Sequence, residues 1–239
     1  MLGSKRILAI IPARGGSKGI PRKNLKRLND LPLISWTIQA SLNSKYIDST
    51  VVSTEDPEIE DVAKSVGALV IRRPLALASD ESPTEPAMIH VVQKLESSGG
   101  KGGGIFDLIL LLQCTSPLRN ASHIDEALEL YDQAGVDSLL SAVPTYAFFW
   151  RKANNHHGSS IHDYHERPRR QDKVPLYQEN GAIYITTRNI LVEERNRLGG
   201  TIAIYSMSEE NSIEIDTQLE FTICEQLMAE NNSFVKTID

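Results

Sequence analysis

A glycine-rich, positively charged segment follows the first apolar run of the chain. Residues 12–24 read PARGGSKGIPRKN, and residues 14–27 hold no acidic side chain. The six cations there are Arg14, Lys18, Arg22, Lys23, Lys26 and Arg27. Glycines let backbone N–H groups approach phosphate oxygens closely, and cations neutralise phosphate charge. The segment therefore predicts a triphosphate site, with a merely solvated turn as the alternative.

The order of residues in this segment excludes two common nucleotide-binding motifs. It lacks the terminal Gly-Lys-Ser/Thr of a Walker A loop, and its GGSKG stretch does not match GxGxxG. The segment therefore carries neither the motif of P-loop kinases nor that of Rossmann dehydrogenases. The position still favours ligand binding, because open α/β sheets bind ligands at the carboxyl ends of their strands.

Two carboxylates near the end of the chain could hold a cation. Glu214 and Asp216 stand two residues apart before a helical pattern. In an extended segment this spacing directs both side chains to the same side. Mg²⁺ takes oxygen ligands while keeping waters and bridging substrate phosphates. The pair predicts a magnesium site, and an acidic pair favoured by the helix dipole is the alternative.

These groups must be positioned by alternating strands and helices, a pattern typical of βαβ units. The predicted strands are residues 7–11, 50–53, 69–71, 108–112, 139–143, 182–185 and 201–206. The predicted helices are residues 32–43, 57–66, 85–97, 122–134 and 217–230. Residues 108–112 are apolar throughout, which predicts a central strand covered on both faces. The predicted fold class is α/β, with a Rossmann-like, mostly parallel sheet.

Composition limits the classes of protein that fit. The chain has 239 residues and a net charge of −6, which argues against a general nucleic-acid or anionic-membrane binder. No apolar stretch approaches the length of a membrane span. Cys114 and Cys224 have no disulfide or ligand spacing, which predicts reduced thiols and a cytoplasmic location. We expect one domain over residues 1–239, with the polar residues 151–177 as a projecting arm.

Five segments, taken together, resemble the CMP-N-acetylneuraminate cytidylyltransferase family. They are PARGGSKGIPRKN at 12–24, RPLALASDESPT at 73–84, LQCTSPLR at 112–119, NGAIYI at 180–185 and SIEIDT at 212–217. The resemblance implies a sheet of the nucleotide-diphospho-sugar transferase type. It also implies transfer of CMP from CTP to a 2-keto nonulosonic acid, with Mg²⁺ and release of pyrophosphate.

The resemblance assigns expected roles to individual residues. The catalytic residues would be Arg14, Lys23 and Asp216, with Asp216 and Glu214 as metal ligands. The nucleotide-binding residues would be Ala13, Arg14, Gly15, Gly16, Ser17, Asn24, Arg73, Ser82 and Thr84. The residues binding the sugar acid would be Gln113, Thr115, Ser116, Arg170, Gln171 and Tyr184. Two positions depart from the family, since Glu214 and Cys114 replace the usual Asp and Pro.

Some of these residues have plainer interpretations. Arg73 could be a solvated charge at a strand end, and Arg119 could solvate the next helix. Cys114 is expected to be a small half-buried side chain rather than a nucleophile. The four histidines of the arm are expected to be solvated or to contact a second subunit rather than to bind metal, namely His156, His157, His162 and His165.

The resemblance also implies a homodimer whose arm, with Arg170 and Gln171, reaches the partner's cleft. N-acetylneuraminate is the favoured acceptor, with legionaminic and pseudaminic acids as alternatives. A non-catalytic sugar-nucleotide-binding protein is the alternative of another class, and an oxidoreductase finds no supporting motif.

Overall fold

A computed structural model of the protein describes residues 2–79, 81–98, 103–152 and 156–230. Asp80, which belongs to one of the five motifs, and most of the glycine run at 99–104 lie outside the described residues. The strands are β1 (Ile7–Pro12), β2 (Arg27–Leu28), β3 (Leu31–Pro32), β4 (Ser49–Thr54), β5 (Leu69–Arg72), β6 (Leu108–Leu111), β7 (Ser138–Thr145), β8 (Trp150–Lys152), β9 (Gly158–Ser160), β10 (Leu176–Thr187) and β11 (Ile202–Ser206). The helices are α1 (Leu33–Leu42), α2 (Pro57–Val66), α3 (Thr84–Ser97), α4 (Ala121–Ala134), α5 (Arg188–Glu193) and α6 (Gln218–Glu230).

Seven strands form the main sheet, in the order β11-β7-β10-β6-β1-β4-β5. Strand β10 runs antiparallel to both of its neighbours, and the remaining pairs are parallel. The predicted α/β class and mostly parallel sheet are therefore confirmed. All four residues of β6 are buried, as expected for a central strand.

The core lies on both faces of this sheet because successive side chains of a strand point to opposite faces. In β1, Ile7, Ala9 and Ile11 belong to one buried apolar cluster, together with residues of α1, α2 and α4. Leu8 and Ile10 belong to a second cluster with residues of α3. Helices therefore cover both faces, which leaves the carboxyl ends of the parallel strands for a site.

Two helices begin at residues whose side chains cap the helix. The Asp56 side chain accepts hydrogen bonds from the backbone N–H groups of Glu58 and Ile59, with Pro57 at the first helical position. The Glu220 carboxylate accepts the Thr217 N–H at 2.7 Å, and the Thr217 hydroxyl accepts the Glu220 N–H at 3.5 Å. The second pair forms a capping box immediately after the predicted metal ligands.

The arm at 151–177 contains structure that its polar composition did not predict. Strands β8 and β9 form an antiparallel hairpin. The His162 ring lies against Phe148 and Trp150, with ring centroids 4.7 and 5.7 Å away. Among the described residues, no group of three or more His, Cys, Asp or Glu side chains could hold a metal ion. In the same part of the chain, no helix has the length and apolarity needed to cross a bilayer.

Candidate active site

A cavity of about 390 Å³ opens at the carboxyl ends of β1 and β6. Ten of the predicted site residues line it: Arg14, Ser17, Lys23, Asn24, Arg73, Ser82, Thr84, Gln113, Thr115 and Asp216. They come from the loop after β1, the segment between β5 and α3, the loop after β6, and the segment before α6. Strand order thus gathers residues from four distant parts of the chain at one edge of the sheet.

The cationic loop and Asp216 of the acidic pair meet at this cavity. The Lys23 ammonium donates to the Ile215 carbonyl at 2.6 Å and to Asp216 Oδ1 at 3.0 Å. At Gly19, an added Cβ would overlap the carbonyl oxygen of Asp216, so only glycine allows this approach. A ligand bound to Lys23 therefore lies within reach of Asp216.

Two guanidinium groups converge on the cavity. The Arg14 Nη1 donates to the Ser79 carbonyl at 3.1 Å, and the Arg73 Nη2 donates to the Ser53 carbonyl at 2.7 Å. Arg73 is only 9% exposed, and burial lowers the pKa of its guanidinium below the usual value, with Arg14 as a further lowering influence. The interpretation of Arg73 as a solvated charge is therefore wrong.

Ala13, Gly15 and Gly16 are the remaining predicted site residues of the first loop. Ala13 is buried, and its N–H donates to the Ser53 carbonyl at 2.9 Å. The N–H of Gly15 donates to Glu55 Oε1 at 2.7 Å, whereas Gly16 is exposed. None of these three residues is among those that line the cavity.

The two late carboxylates have different environments. Glu214 is half-buried and accepts the Thr115 hydroxyl at 3.0 Å, and burial raises the pKa of its carboxyl group. The Asp216 side chain is 71% exposed and faces the cavity. The oxygen donors suit Mg²⁺, and a site with one or two carboxylates fits an ion that also binds waters and substrate phosphates.

A second cavity of about 330 Å³ adjoins these carboxylates. Its lining is Val143, Gln178, Glu179, Asn180, Ser212, Ile213, Glu214, Asp216 and Glu220. Asp216 lines both cavities, so the two cavities are adjacent at this residue.

Four predicted sugar-binding residues lie outside the first cavity. Ser116 is buried and donates its hydroxyl to the Asn180 carbonyl at 3.0 Å, and the buried Tyr184 donates to Glu179 Oε2 at 2.7 Å. Arg170 is exposed and pairs with Glu209 at 3.0 Å. Gln171 is exposed in the same turn of the arm. Ser116 and Tyr184 thus contact Asn180 and Glu179, which line the second cavity, whereas Arg170 and Gln171 line neither of the two cavities.

Arg119 is a structural residue whose place the sequence did not reveal. It is 1% exposed, and its Nη1 donates to the carbonyls of Gln113 and Ala182 at 3.3 and 3.2 Å. The interpretation as a charge solvating the next helix is wrong. Arg119 instead joins the loop after β6 to β10, which fixes the wall that carries Gln113 and Thr115.

Cys114 lines the first cavity, but its environment suits a packed side chain rather than a nucleophilic thiol. Burial raises the pKa of its thiol to about 12, and the side chain is 3% exposed. A thiolate is the nucleophilic form of cysteine, so this group is inert near neutral pH. The expectation that Cys114 is no nucleophile is consistent with this geometry, although the side chain is more buried than predicted.

Glu55 is a residue of the site that sequence reasoning missed. It follows β4 directly and contacts both Gly15 and Arg73. An acidic residue directly after a predicted parallel strand is the signal that could have identified it.

We predict that Gly181→Ala impairs turnover as well as stability. Gly181 has φ +65°, and an added Cβ would lie 2.7 Å from Glu214 Oε1 and 2.8 Å from Gln113 Oε1. The left-handed backbone costs a residue with a Cβ about 1–2 kcal/mol. Displacement of Glu214 and Gln113 should add a loss of turnover of about tenfold or more.

Gly135→Ala is the matched control for this variant. Gly135 has φ +62°, and nothing lies within 4 Å of its added Cβ. Thermal unfolding and steady-state kinetics of both variants should show similar stability losses and a turnover defect in Gly181→Ala alone. Equal turnover of the two variants would contradict the role assigned to this contact.

Comparison with known proteins agrees with this geometry. The family model described as "Cytidylyltransferase" matches residues 8–238. N-acylneuraminate cytidylyltransferase from Oncorhynchus mykiss is 39% identical over 231 residues, covering 94% of this chain and 51% of that protein. CMP-N,N'-diacetyllegionaminic acid synthase from Legionella pneumophila is 34% identical over 232 residues, covering 95% and 97%. The chain thus spans about half the length of the first of these relatives and nearly all of the second.

A solved structure titled as CMP:2-keto-3-deoxy-manno-octonic acid synthetase complexed with CTP shares the fold. It has a TM-score of 0.71 at 20% identity and covers 94% of this chain and 99% of its own. At that identity the likeness extends to the fold alone. The family match over nearly the whole chain, together with the relatives above 30% identity, decides the classification: this chain belongs to the cytidylyltransferase family.

Proposed function

We propose that the protein transfers CMP from CTP to the anomeric hydroxyl of a nonulosonic acid and releases pyrophosphate, with N-acetylneuraminate as the favoured acceptor. The observation that carries this proposal is the contact of Lys23 with Asp216 at 3.0 Å. It joins a phosphate-binding loop to a carboxylate that also faces a second cavity.

The first cavity is the proposed site of CTP. Lys23 and Arg14 bind and neutralise the triphosphate, because phosphoryl transfer is catalysed mainly by positioning and by stabilisation of charge. Asn24 holds the loop in place, since its Nδ2 donates to the Arg14 carbonyl at 3.0 Å. Arg73, Ser82 and Thr84 line the other part of the cavity, where the nucleoside would lie.

Asp216 and Glu214 are the proposed ligands of Mg²⁺. The ion would supply positive charge that neutralises the triphosphate oxygens. Asp216 is exposed toward the phosphate site, whereas Glu214 is held by the Thr115 hydroxyl, so Asp216 is the principal ligand in this proposal.

The second cavity is the proposed site of the sugar acid. Its carboxylate and amide groups can accept and donate hydrogen bonds with a polyol. Gln113 and Thr115 line the first cavity, and the Thr115 hydroxyl donates to Glu214, which lines the second. The acceptor's anomeric oxygen forms a bond to the α-phosphorus, and its proton passes to water. The bond from the α-phosphorus to the oxygen that bridges it to the β-phosphorus breaks. The leaving group is pyrophosphate.

Release of pyrophosphate tests this function. Purified protein would be given CTP and Mg²⁺ with N-acetylneuraminate, legionaminic acid or pseudaminic acid, each in a separate reaction. We expect turnover to be fastest with N-acetylneuraminate, and faster legionaminic acid turnover would move the assignment to the acceptor named for the Legionella relative. Binding of CTP without turnover on any nine-carbon acid would favour a non-catalytic binding protein.

We also propose that two copies of the chain associate through the arm. Several large apolar side chains there are exposed in the isolated chain: Phe149, Trp150, Ile161, Tyr164, Val174, Leu176 and Tyr177. Arg170 and Gln171 lie away from their own chain's first cavity, and in this proposal they serve the partner's acceptor site. Light scattering should give a dimer for the natural chain, and a monomer for Val174→Asp; a natural monomer would reject the association.

The proposed location of the reaction is the cytoplasm. Both cysteines, Cys114 and Cys224, are free and buried. Free thiols without a disulfide are usual in reducing compartments, which supports this location.

A further inference from the structure

Two acidic residues follow β4 and lie directly behind the cationic loop. Glu55 Oε1 accepts the Gly15 N–H at 2.7 Å, and Glu55 Oε2 lies 3.4 Å from Arg73 Nε. Asp56 Oδ2 accepts from Arg22 Nη1 at 2.5 Å, and an added Cβ at Gly15 would overlap the same carboxylate. The loop after β1 is therefore fastened to the end of β4 by carboxylates.

The excess of positive charge around the first cavity explains why a carboxylate is needed at position 55. Among the described residues that line the first cavity, four are cations, namely Arg14, Lys18, Lys23 and Arg73, and Asp216 is the one carboxylate. Arg14 lies close enough to Arg73 to disfavour the charge of the Arg73 guanidinium, and Glu55 opposes this effect. Glu55 is thus the counter-ion that allows two guanidinium groups to face one ligand.

We propose that Glu55 is a positioning residue that couples the phosphate part of the CTP site to the nucleoside part. One carboxylate accepts the Gly15 N–H of the loop after β1 and forms an ion pair, at 3.4 Å, with the Arg73 guanidinium. The Glu55 side chain is 15% exposed and does not line the cavity, so it acts through these two groups rather than on the ligand. The inference rests on the proposed binding of CTP.

Two substitutions separate the roles of Glu55. Glu55→Gln keeps an oxygen that can accept the Gly15 N–H but removes the charge beside Arg73, whereas Glu55→Ala removes both contacts. We expect Glu55→Gln to raise the Kd of CTP and the KM for CTP about tenfold, with kcat changed much less. Glu55→Ala should have a larger effect.

Calorimetric titration of the full chain with CTP and with inorganic tripolyphosphate gives the decisive readout. If Glu55 couples the two parts of the site, Glu55→Gln loses more affinity for CTP than for tripolyphosphate. Asp61→Asn is the matched control, because it removes one exposed carboxylate from neighbouring α2 and should leave both affinities unchanged.

A double-substitution cycle tests whether Glu55 acts through Arg73. Effects of residues that act as one unit are not additive, so Glu55→Gln combined with Arg73→Gln should bind CTP no more weakly than Arg73→Gln alone. Additive losses, or an unchanged Kd in Glu55→Gln, would overturn the inference. If Glu55→Gln does not fold, Glu55→Asp takes its place in the experiment. It keeps the negative charge, but its side chain is too short to reach both Gly15 and Arg73.

Failure of this inference is distinguishable from failure of the proposed function. If the natural chain binds CTP and releases pyrophosphate while Glu55→Gln behaves identically, Glu55 has no positioning role. If the natural chain binds no CTP, the proposed function itself is wrong.

Discussion

Asp216→Asn is expected to reduce Mg²⁺-dependent release of pyrophosphate by about 10³-fold. The substitution keeps the shape of the side chain and removes the charge that faces both cavities. It removes the proposed metal ligand and the anion that accepts the Lys23 ammonium at 3.0 Å. Initial rates at saturating CTP and acceptor, measured over a range of Mg²⁺ concentrations, provide the test.

Stability should change little in this variant. Asp216 is exposed, and exposed ion pairs contribute at most about 1 kcal/mol. Asp61→Asn, the same chemical change on exposed α2, is the control and should retain full turnover. Turnover of Asp216→Asn within threefold of the natural chain would remove Asp216 from the catalytic residues and with it the proposed magnesium site.

Lys23→Met is expected to lower kcat/KM for CTP by about 10²–10³-fold. The ammonium is the cation that bridges the phosphate loop and the segment before α6, with bonds to Ile215 and Asp216. Methionine preserves much of the length and apolar volume of the side chain but cannot stabilise a triphosphate. Steady-state kinetics with CTP varied at saturating acceptor measure the effect.

Lys26→Met is the control for this experiment because it makes the same change within the same loop. Lys26 donates to Gln218 Oε1 at 2.6 Å and lies over the Phe221 ring, outside the cavity lining. It should lower stability slightly and leave kcat/KM nearly unchanged. If both variants lose activity equally, general positive charge in the loop, rather than the Lys23 ammonium, is what the reaction requires.

Local patterns in the sequence were sufficient for most of the fold. The bounds of the strands in the main sheet, and of the helices that pack on it, were predicted to within a few residues. The exceptions are β10, which extends over 12 residues, and α5, which was not expected. Period-two and period-3.6 apolar patterns depend on neighbouring residues, so they remain readable without tertiary contacts. The direction of β10 was not predicted, since direction depends on its partners β6 and β7 rather than on its own residues.

The candidate site, like the fold, contains features that the sequence predicted and contacts that it did not. Its cationic loop, its acidic pair and ten cavity-lining residues were predicted, because their residue types and family motifs are visible in the chain. The contacts of Ser116, Tyr184 and Arg119 were not, because each depends on the burial of a side chain between elements that are distant in sequence.

The sequence by itself determined the α/β alternation, the cationic, glycine-rich character of the loop after β1 and the resemblance to one family. Only the tertiary structure decided that Lys23 meets Asp216 across 193 residues, that Glu55 stands behind the loop, and that Asp216 borders two cavities. The physical reason is that residue type fixes which interactions a group can make, whereas strand order and packing fix which partners come within reach.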